Sequence, residues 1–258
     1  MNIKEVVKQK YSEIATTNDK SDSDCCCCGN DEELFGFMSE DYTKKAGYVK
    51  EADLGLGCGS PTDFIEINEG DTVLDLGSGA GNDVFLASRI VGATGKVIGV
   101  DMTEAMIEKA NKNKQKLGFE NVEFRFGEIE DLPIDDSTID VVLSNCVLNL
   151  VPSKKKAFSE IYRVLKPCGG FCVSDIVLEG ELPESIRKVA TLYAGCVSGS
   201  IQINTYLKYI EDAGFTNIEV HKKREIKIPK MLLVEHLNDD EIENFLNSDI
   251  GIYSLTIS

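Results

Sequence analysis

The segment Thr72-Val73-Leu74-Asp75-Leu76-Gly77-Ser78-Gly79-Ala80-Gly81-Asn82-Asp83 sets the fold of this chain. Its opening is apolar or β-branched apart from Asp75, which is the pattern of a buried strand. Gly77, Gly79 and Gly81 then alternate through a turn. Glycine accepts φ > 0 and lets the backbone approach a ligand closely. Helical spacing takes over across 83–91, and Gly92 stops it. Strand, glycine turn and helix in that order open a nucleotide-binding βαβ unit.

The same alternation continues downstream. A strand over 96–101 leads to a helix that Thr103 caps and Gly118 ends. A strand at 122–126, an acidic loop at 128–136 and a strand at 139–145 follow. Ser153 caps a helix with Ala157, Phe158, Ile161, Val164 and Leu165 at helical spacing. Lys166-Pro167-Cys168-Gly169-Gly170 reads as a turn into a strand at 171–177. Pro183 opens a helix toward Cys196, and Asn204 or Thr205 starts another that ends at Gly214. A strand near 216–226, a short helix near 239–247 and an alternating strand at 250–257 complete the chain. Strands alternating with helices predict a mostly parallel sheet with helices on both faces. The last two strands lack a long helix between them and are free to pair antiparallel.

Upstream of the glycine turn the pattern differs. Ile3, Val6, Val7, Tyr11, Ile14 and Ala15 share one helical face. A polar break at 18–24 precedes Cys25-Cys26-Cys27-Cys28-Gly29 and a run of acids, a stretch without periodicity that reads as a mobile loop. Two regions are expected: an extension over 1–69 with the cysteine cluster and a cap loop, and a ligand-binding domain over 70–258.

Composition narrows the partners. A net charge of −17 opposes nucleic acid, whose phosphates would be repelled, and favours a small-molecule substrate. No apolar run reaches the ~20 residues needed to cross a bilayer. Charges in the opening MNIKEVVKQK replace the apolar stretch of an export signal, so a cytoplasmic location is expected. Nine cysteines then persist as thiols in a reducing compartment. His221 and His236 are isolated near the polar C-terminal end and are read as surface residues.

The glycine turn alone fits NAD, flavin or S-adenosylmethionine. Asp75, two residues before Gly77, suits a ligand ammonium better than a pyrophosphate. Asp101 ends the second strand, where a carboxylate binds ribose hydroxyls. Asp83 puts negative charge at a helix N-terminus that a pyrophosphate would need free.

Three cysteines stand alone in loop contexts: Gly57-Cys58-Gly59, Asn145-Cys146-Val147 and Gly195-Cys196-Val197. None belongs to a CxxC pair. Cys146 lies just past the carboxyl end of the fourth strand, where ligands bind in open α/β sheets. The glycines around Cys58 offer it little to pack against, so a core role is not expected for it. Thiolates select soft metals and metalloids over hard ones. Cys168 and Cys172 read as structural, since buried cysteine is common.

With these residues in view, VLDLGSGAG, GVDMTEAMIEKA, GEIEDLP and YRVLKP resemble class I S-adenosylmethionine methyltransferases of Rossmann-like fold. More narrowly, GLGCG, VLDLGSGAGND, GVDMT, SNCVLNLVP and YRVLKP, in that order, resemble arsenite methyltransferases over roughly residues 40–225. The resemblance implies that Cys58, Cys146 and Cys196 bind trivalent arsenic as substrate, with no permanent metal. It implies a cofactor site of Asp75, Gly77, Ser78, Gly79, Asp101, Met102, Ile129, Glu130 and Asn145. It further implies As(III) supplied as a thiol complex, a thioredoxin- or glutathione-type reductant, and an N-terminal cysteine that recycles a disulfide. Cys28 or a neighbour is the candidate partner for Cys58, although four adjacent thiols read equally as a metal scavenger. Leu56 stands where some relatives carry an aromatic residue, and larger relatives carry more chain after the last strand. The expected activity is methyl transfer from S-adenosylmethionine to arsenite, for arsenic detoxification. The alternatives are another small-molecule methyltransferase whose cysteines are incidental, and a metalloid-sequestering protein.

Overall fold

The computed structural model describes residues 3–17, 39–45, 47–183, 199–228, 230–234, 237–248 and 250–258. A seven-stranded sheet organises them in the order β3-β2-β1-β4-β5-β7-β6. The strands are β1 Thr72–Leu76, β2 Lys96–Asp101, β3 Val122–Phe126, β4 Ile139–Asn145, β5 Leu165–Glu179, β6 Val220–Glu225 and β7 Gly251–Ile257. The pairs through β5 are parallel, and β7 runs antiparallel to both β5 and β6, as expected for the closing strands.

The helices are α1 Ile3–Thr17, α2 Asn82–Val91, α3 Glu104–Leu117, α4 Lys154–Val164, α5 Ile203–Asp212, α6 Lys230–Val234 and α7 Asp239–Leu246. Period-two alternation sends the two sides of each strand into different cores. Leu74, Leu76, Val142 and Val173 pack with Phe158, Ile161 and Tyr206. Val73, Val97, Val141 and Leu143 pack with Val84, Phe85 and Val91, and Val49 and Ala52 of the extension join them. Both sheet faces are thereby covered. The β6 edge carries Lys222, Lys223 and Arg224, charges that discourage edge-to-edge pairing.

Local chemistry sets the boundaries. Gly118 closes α3 at φ 71. The Ser153 side chain accepts from the Lys156 N–H at the start of α4. Thr103 occupies the N-cap of α3 without a side-chain cap bond. Instead the Asp101 carboxylate accepts from the Thr103 N–H at 2.8 Å.

Several boundaries depart from expectation. The segment Lys166-Pro167-Cys168-Gly169-Gly170 lies inside β5: Ile139 pairs with Leu165 and Val141 with Gly170, so the extra residues bulge out of a continuous strand. Cys168 takes φ 68 in that bulge and is exposed, so it packs no core, whereas Cys172 is buried. Helix α5 starts at Ile203 with Gln202 as its cap, because a backbone bridge of Gln202 to Leu178 fixes the chain there. His221 stacks on Phe64 at 5.4 Å and is half-buried rather than fully at the surface, and His236 lies outside the described residues. The helix expected between Pro183 and Cys196 falls largely outside the described residues, as does the cysteine cluster at 25–28.

Candidate functional site

In the order β3-β2-β1-β4-β5 the strands are all parallel, but the chain winds outward from β1 to β3 on one side and from β4 to β5 on the other, and such a switch point opens a crevice at the carboxyl ends of β1 and β4. A cavity of about 1070 Å³, counting its open mouth, lies there. Asp75, Gly77, Ser78, Gly79, Asp101, Met102, Ile129, Glu130 and Asn145 all line it, and so does Cys146. The glycine turn shapes its floor. Gly77 has φ 66, and a Cβ there would sit 2.5 Å from the Val147 methyls. A Cβ at Gly79 meets nothing within 4 Å, so that stretch of backbone faces open space.

The cavity wall is acidic. Asp75, Asp83 and Asp101 are all buried. Burial, then the charges of Asp83 and Asp101, hold Asp75 well above the usual carboxylate range. Burial also lifts Asp83 to about 6, against the hydrogen bonds it receives from Asn145 and Tyr42. Asp101 is raised by burial despite accepting from the N–H groups of Gly79 at 3.0 Å and Thr103. Carboxylates in this state favour a cationic occupant, which would restore their ionised form. Ser78 Oγ and Asn82 Oδ1 are buried at the cavity without a hydrogen-bond partner. Orphaned polar groups and a surplus of negative charge fit a sulfonium- and ammonium-bearing ligand with ribose hydroxyls.

Asn145 joins this cavity to the first cysteine. Its Oδ1 accepts from the N–H of Cys58 at 3.0 Å and of Gly59 at 3.2 Å. Its Nδ2 donates to the Tyr42 hydroxyl at 2.7 Å, the Gly59 carbonyl at 2.8 Å and Asp83 Oδ2 at 3.2 Å. Gly57 makes the approach possible, since a Cβ there would fall 2.7 Å from Asn145 Nδ2. The Cys58 carbonyl is held from the far side by Ser254 Oγ at 2.7 Å and Arg224 at 3.2 Å.

Cys58 and Cys146 converge on one acceptor. The Ser174 carbonyl of β5 takes the Cys146 N–H at 2.7 Å and the Cys58 thiol at 3.6 Å. Both cysteines are buried, in an apolar cluster with Ile176, Leu178, Leu182 and Ile252. The expectation that Cys58 stands clear of the core is therefore corrected: its own neighbours are small, but β5 and β7 supply the packing. Cys146 takes φ 62, a conformation unusual for a residue with a side chain. Cys196 and Cys28 lie outside the described residues.

Other contributors had no sequence signature of their role. Lys4, Val7 and Tyr11 of α1 line the cavity mouth. Lys4 pairs with Glu130 at 2.6 Å and Glu128 at 2.7 Å, and Glu130 also accepts from the Ser153 N–H at 2.8 Å. The Glu130 carboxylate is thus engaged by protein. Tyr42, buried and donating to Gly59 and Asp83, braces the same junction. The apolar face of α1 was readable, but its target was not.

Comparisons with known proteins agree with this fold. Residues 67–214 match a family model described as a methyltransferase domain. An arsenite methyltransferase of Halobacterium salinarum is 42% identical over 235 residues, covering 86% of this chain and 59% of that protein. One from Aquipseudomonas alcaligenes is 39% identical over 178 residues, covering 66% of this chain and 51% of its own length. The crystal structure of an arsenic(III) S-adenosylmethionine methyltransferase from Chlamydomonas reinhardtii superposes with a TM-score of 0.65 at 37% identity, covering 78% of this chain and 66% of that one. The chain spans between half and two thirds of the length of these relatives. No helix among the described residues is long and apolar enough to cross a membrane. The chain belongs to the methyltransferase-domain family.

Proposed function

We propose that this methyltransferase-family chain transfers methyl groups from S-adenosylmethionine to trivalent arsenic held by cysteine thiolates. The observation that carries the reading is the meeting of Cys58 and Cys146 at the Ser174 carbonyl, beside a cavity lined by the whole expected cofactor set. The similarity to arsenite methyltransferases supports the substrate.

Asp75 is assigned the ligand's ammonium, Asp101 its ribose hydroxyls, and Ser78 and Gly79 the close backbone contact. Met102, Ile129 and the backbone of Glu130 are assigned the base. S-adenosylmethionine supplies an activated methyl on a sulfonium when bound. Arsenic held as As(III) brings its own lone pair, so no general base is required. The protein's task is placement: Cys58, Cys146 and Cys196 hold the metalloid, and Asn145 keeps the Cys58 loop against the cavity. Holding two reactants in line removes much of the entropic barrier. Leu182 packs in the cluster of Cys58 and Cys146.

Residues 1–69 serve in this reading as the part that supplies Cys58 and covers the cavity, and 70–258 as the methyltransferase unit. Cys28 is the proposed disulfide partner of Cys58 during turnover, with a thioredoxin- or glutathione-type thiol as reductant. The setting is cytoplasmic, the role arsenic detoxification, and the physiological substrate As(III) in a thiol complex, with neither nucleic acid nor membrane as partner.

Release of S-adenosylhomocysteine tests the reading. Purified protein with S-adenosylmethionine and reductant is expected to release it only when arsenite is added. Release on an O- or N-nucleophile but not on arsenite would favour an incidental role for the cysteines. Arsenite binding without release would favour sequestration.

A further inference from the structure

The segment Glu40-Asp41-Tyr42-Thr43-Lys44-Lys45 carries no motif, and none of its residues lines the cofactor cavity. It is stiffened by its own contacts. The Asp41 carboxylate accepts from the Thr43 N–H at 3.0 Å, and the Lys45 N–H reaches the Tyr42 carbonyl at 2.9 Å. From this base three arms reach the loop that holds Cys58. The Glu40 N–H donates to the Gly57 carbonyl at 3.0 Å. The Tyr42 hydroxyl serves two acceptors, the Gly59 carbonyl at 2.8 Å and Asp83 Oδ1 at 3.0 Å. Lys45 Nζ donates to Ser60 Oγ and to Asp63 Oδ1, the latter at 2.6 Å. The first two arms take the carbonyls on either side of Cys58.

Tyr42 is the central arm. It is buried, and its oxygen accepts from Asn145 Nδ2 at 2.7 Å, so one hydroxyl touches both the loop and the side chain that holds the Cys58 N–H. Lys45 Nζ lies 5.1 Å over its ring, which ties the second arm to the third. Burial, then the Asp83 charge, holds the Tyr42 phenol well above its usual pKa, so it keeps its proton where thiolates form. The loop needs such ties. Gly55, Gly57 and Gly59 give the free chain many conformations, and glycine loses more backbone freedom on ordering than any other residue. Partners outside the loop therefore decide where the Cys58 sulfur sits.

We propose that Glu40–Lys45 is a brace for the Cys58 loop, with Tyr42 as a positioning residue for the Cys58 thiolate. The brace deepens the arsenic reading and rests on it for its functional consequence. A tyrosine that only filled core space would be replaceable by phenylalanine, which keeps the ring and its contact with Lys45. A positioning tyrosine would not, because the hydroxyl alone reaches Gly59, Asn145 and Asp83.

Tyr42→Phe is expected to raise KM for arsenite about tenfold while the S-adenosylmethionine Kd stays within about threefold. Wild-type KM for arsenite, or an equal loss for both ligands, would overturn the positioning role. A second readout needs no turnover. Cys58 is 1% exposed, so iodoacetamide reaches it only when the loop opens locally. Peptide-resolved alkylation of Cys58 is expected to quicken severalfold in Tyr42→Phe, with Cys172, buried in a different cluster, unchanged. Lys45→Met, which removes the third arm and leaves the Tyr42 hydroxyl in place, is expected to quicken it by a smaller factor. An unchanged Cys58 rate in either variant, or equal quickening of Cys172, would overturn the brace. If wild type releases no S-adenosylhomocysteine with arsenite, the arsenic reading fails, and the alkylation rates still decide the brace.

Discussion

Cys146→Ser loses arsenite-dependent methyl transfer by at least about 10²-fold while binding S-adenosylmethionine as wild type does. The backbone of this residue is fixed independently of its sulfur: its N–H is held by the Ser174 carbonyl, and its φ of 62 is imposed by the turn. Serine therefore inherits the conformation and replaces a soft donor with a hard one. As(III) strongly prefers the soft donor. Burial of a hydroxyl in the cluster with Ile176 and Leu178 costs on the order of 1 kcal/mol, which a folded domain tolerates. Cys58→Ser is expected to behave alike, because its loop is held by backbone bonds to Asn145. Turnover assays paired with calorimetric cofactor binding check both variants. Full turnover in either removes the thiolate clamp from the account.

The second large effect is on stability. Asp83 is buried, and its pKa rises from 3.8 to about 6 on folding. A carboxyl raised by folding binds its proton more tightly in the native state. Its contribution is fully present below the unfolded value near 4 and is lost as pH climbs through about 6. A shift of roughly two units corresponds to about 3 kcal/mol of destabilisation on the alkaline side. Asp83→Asn removes this slope while keeping an acceptor for Tyr42 and Asn145. Urea unfolding of the two proteins is expected to give stabilities that converge near pH 4 and diverge by up to about 3 kcal/mol near pH 7, the variant being the more stable. A difference independent of pH would show that Asp83 does not titrate in this window. Asp75 remains in both proteins but is raised in part by the Asp83 charge, so the variant also relieves Asp75 and the measured difference belongs to the pair.

Such a penalty in the free protein has a functional sense. Three buried carboxylates around one cavity are costly until a cation enters, so part of the cofactor's affinity comes from relieving them.

Local signals carried most of the fold. The glycine turn, the strands at 96–101, 122–126 and 139–145, and the stops at Gly92 and Gly118 follow from periodicity and φ preference within a few residues. What local chemistry does not carry is where distant segments meet. The run Gly55-Leu56-Gly57-Cys58-Gly59 looks like a bare loop, and nothing within it announces that β5 and β7 will bury Cys58. Tyr42 and Lys4 are unremarkable in sequence, yet one braces Asn145 and the other reaches Glu130 across the chain. The bulge in β5 escaped because Pro-Cys-Gly-Gly suits a turn equally well, and only the partner register of β4 distinguishes the two. That the expected cofactor residues would line one cavity was legible because each sits near a strand end or turn. The cysteine pair was legible through its contexts, and its convergence on Ser174 through the structure alone.

X-ray absorption at the arsenic edge, on protein loaded with arsenite in thiol-free buffer, tests the central claim most directly. Wild type is expected to surround arsenic with sulfur alone, and Cys146→Ser to exchange one sulfur neighbour for oxygen. An oxygen-only shell in wild type, or a sulfur shell that Cys146→Ser leaves intact, would contradict the assignment of Cys146 as a ligand of the substrate.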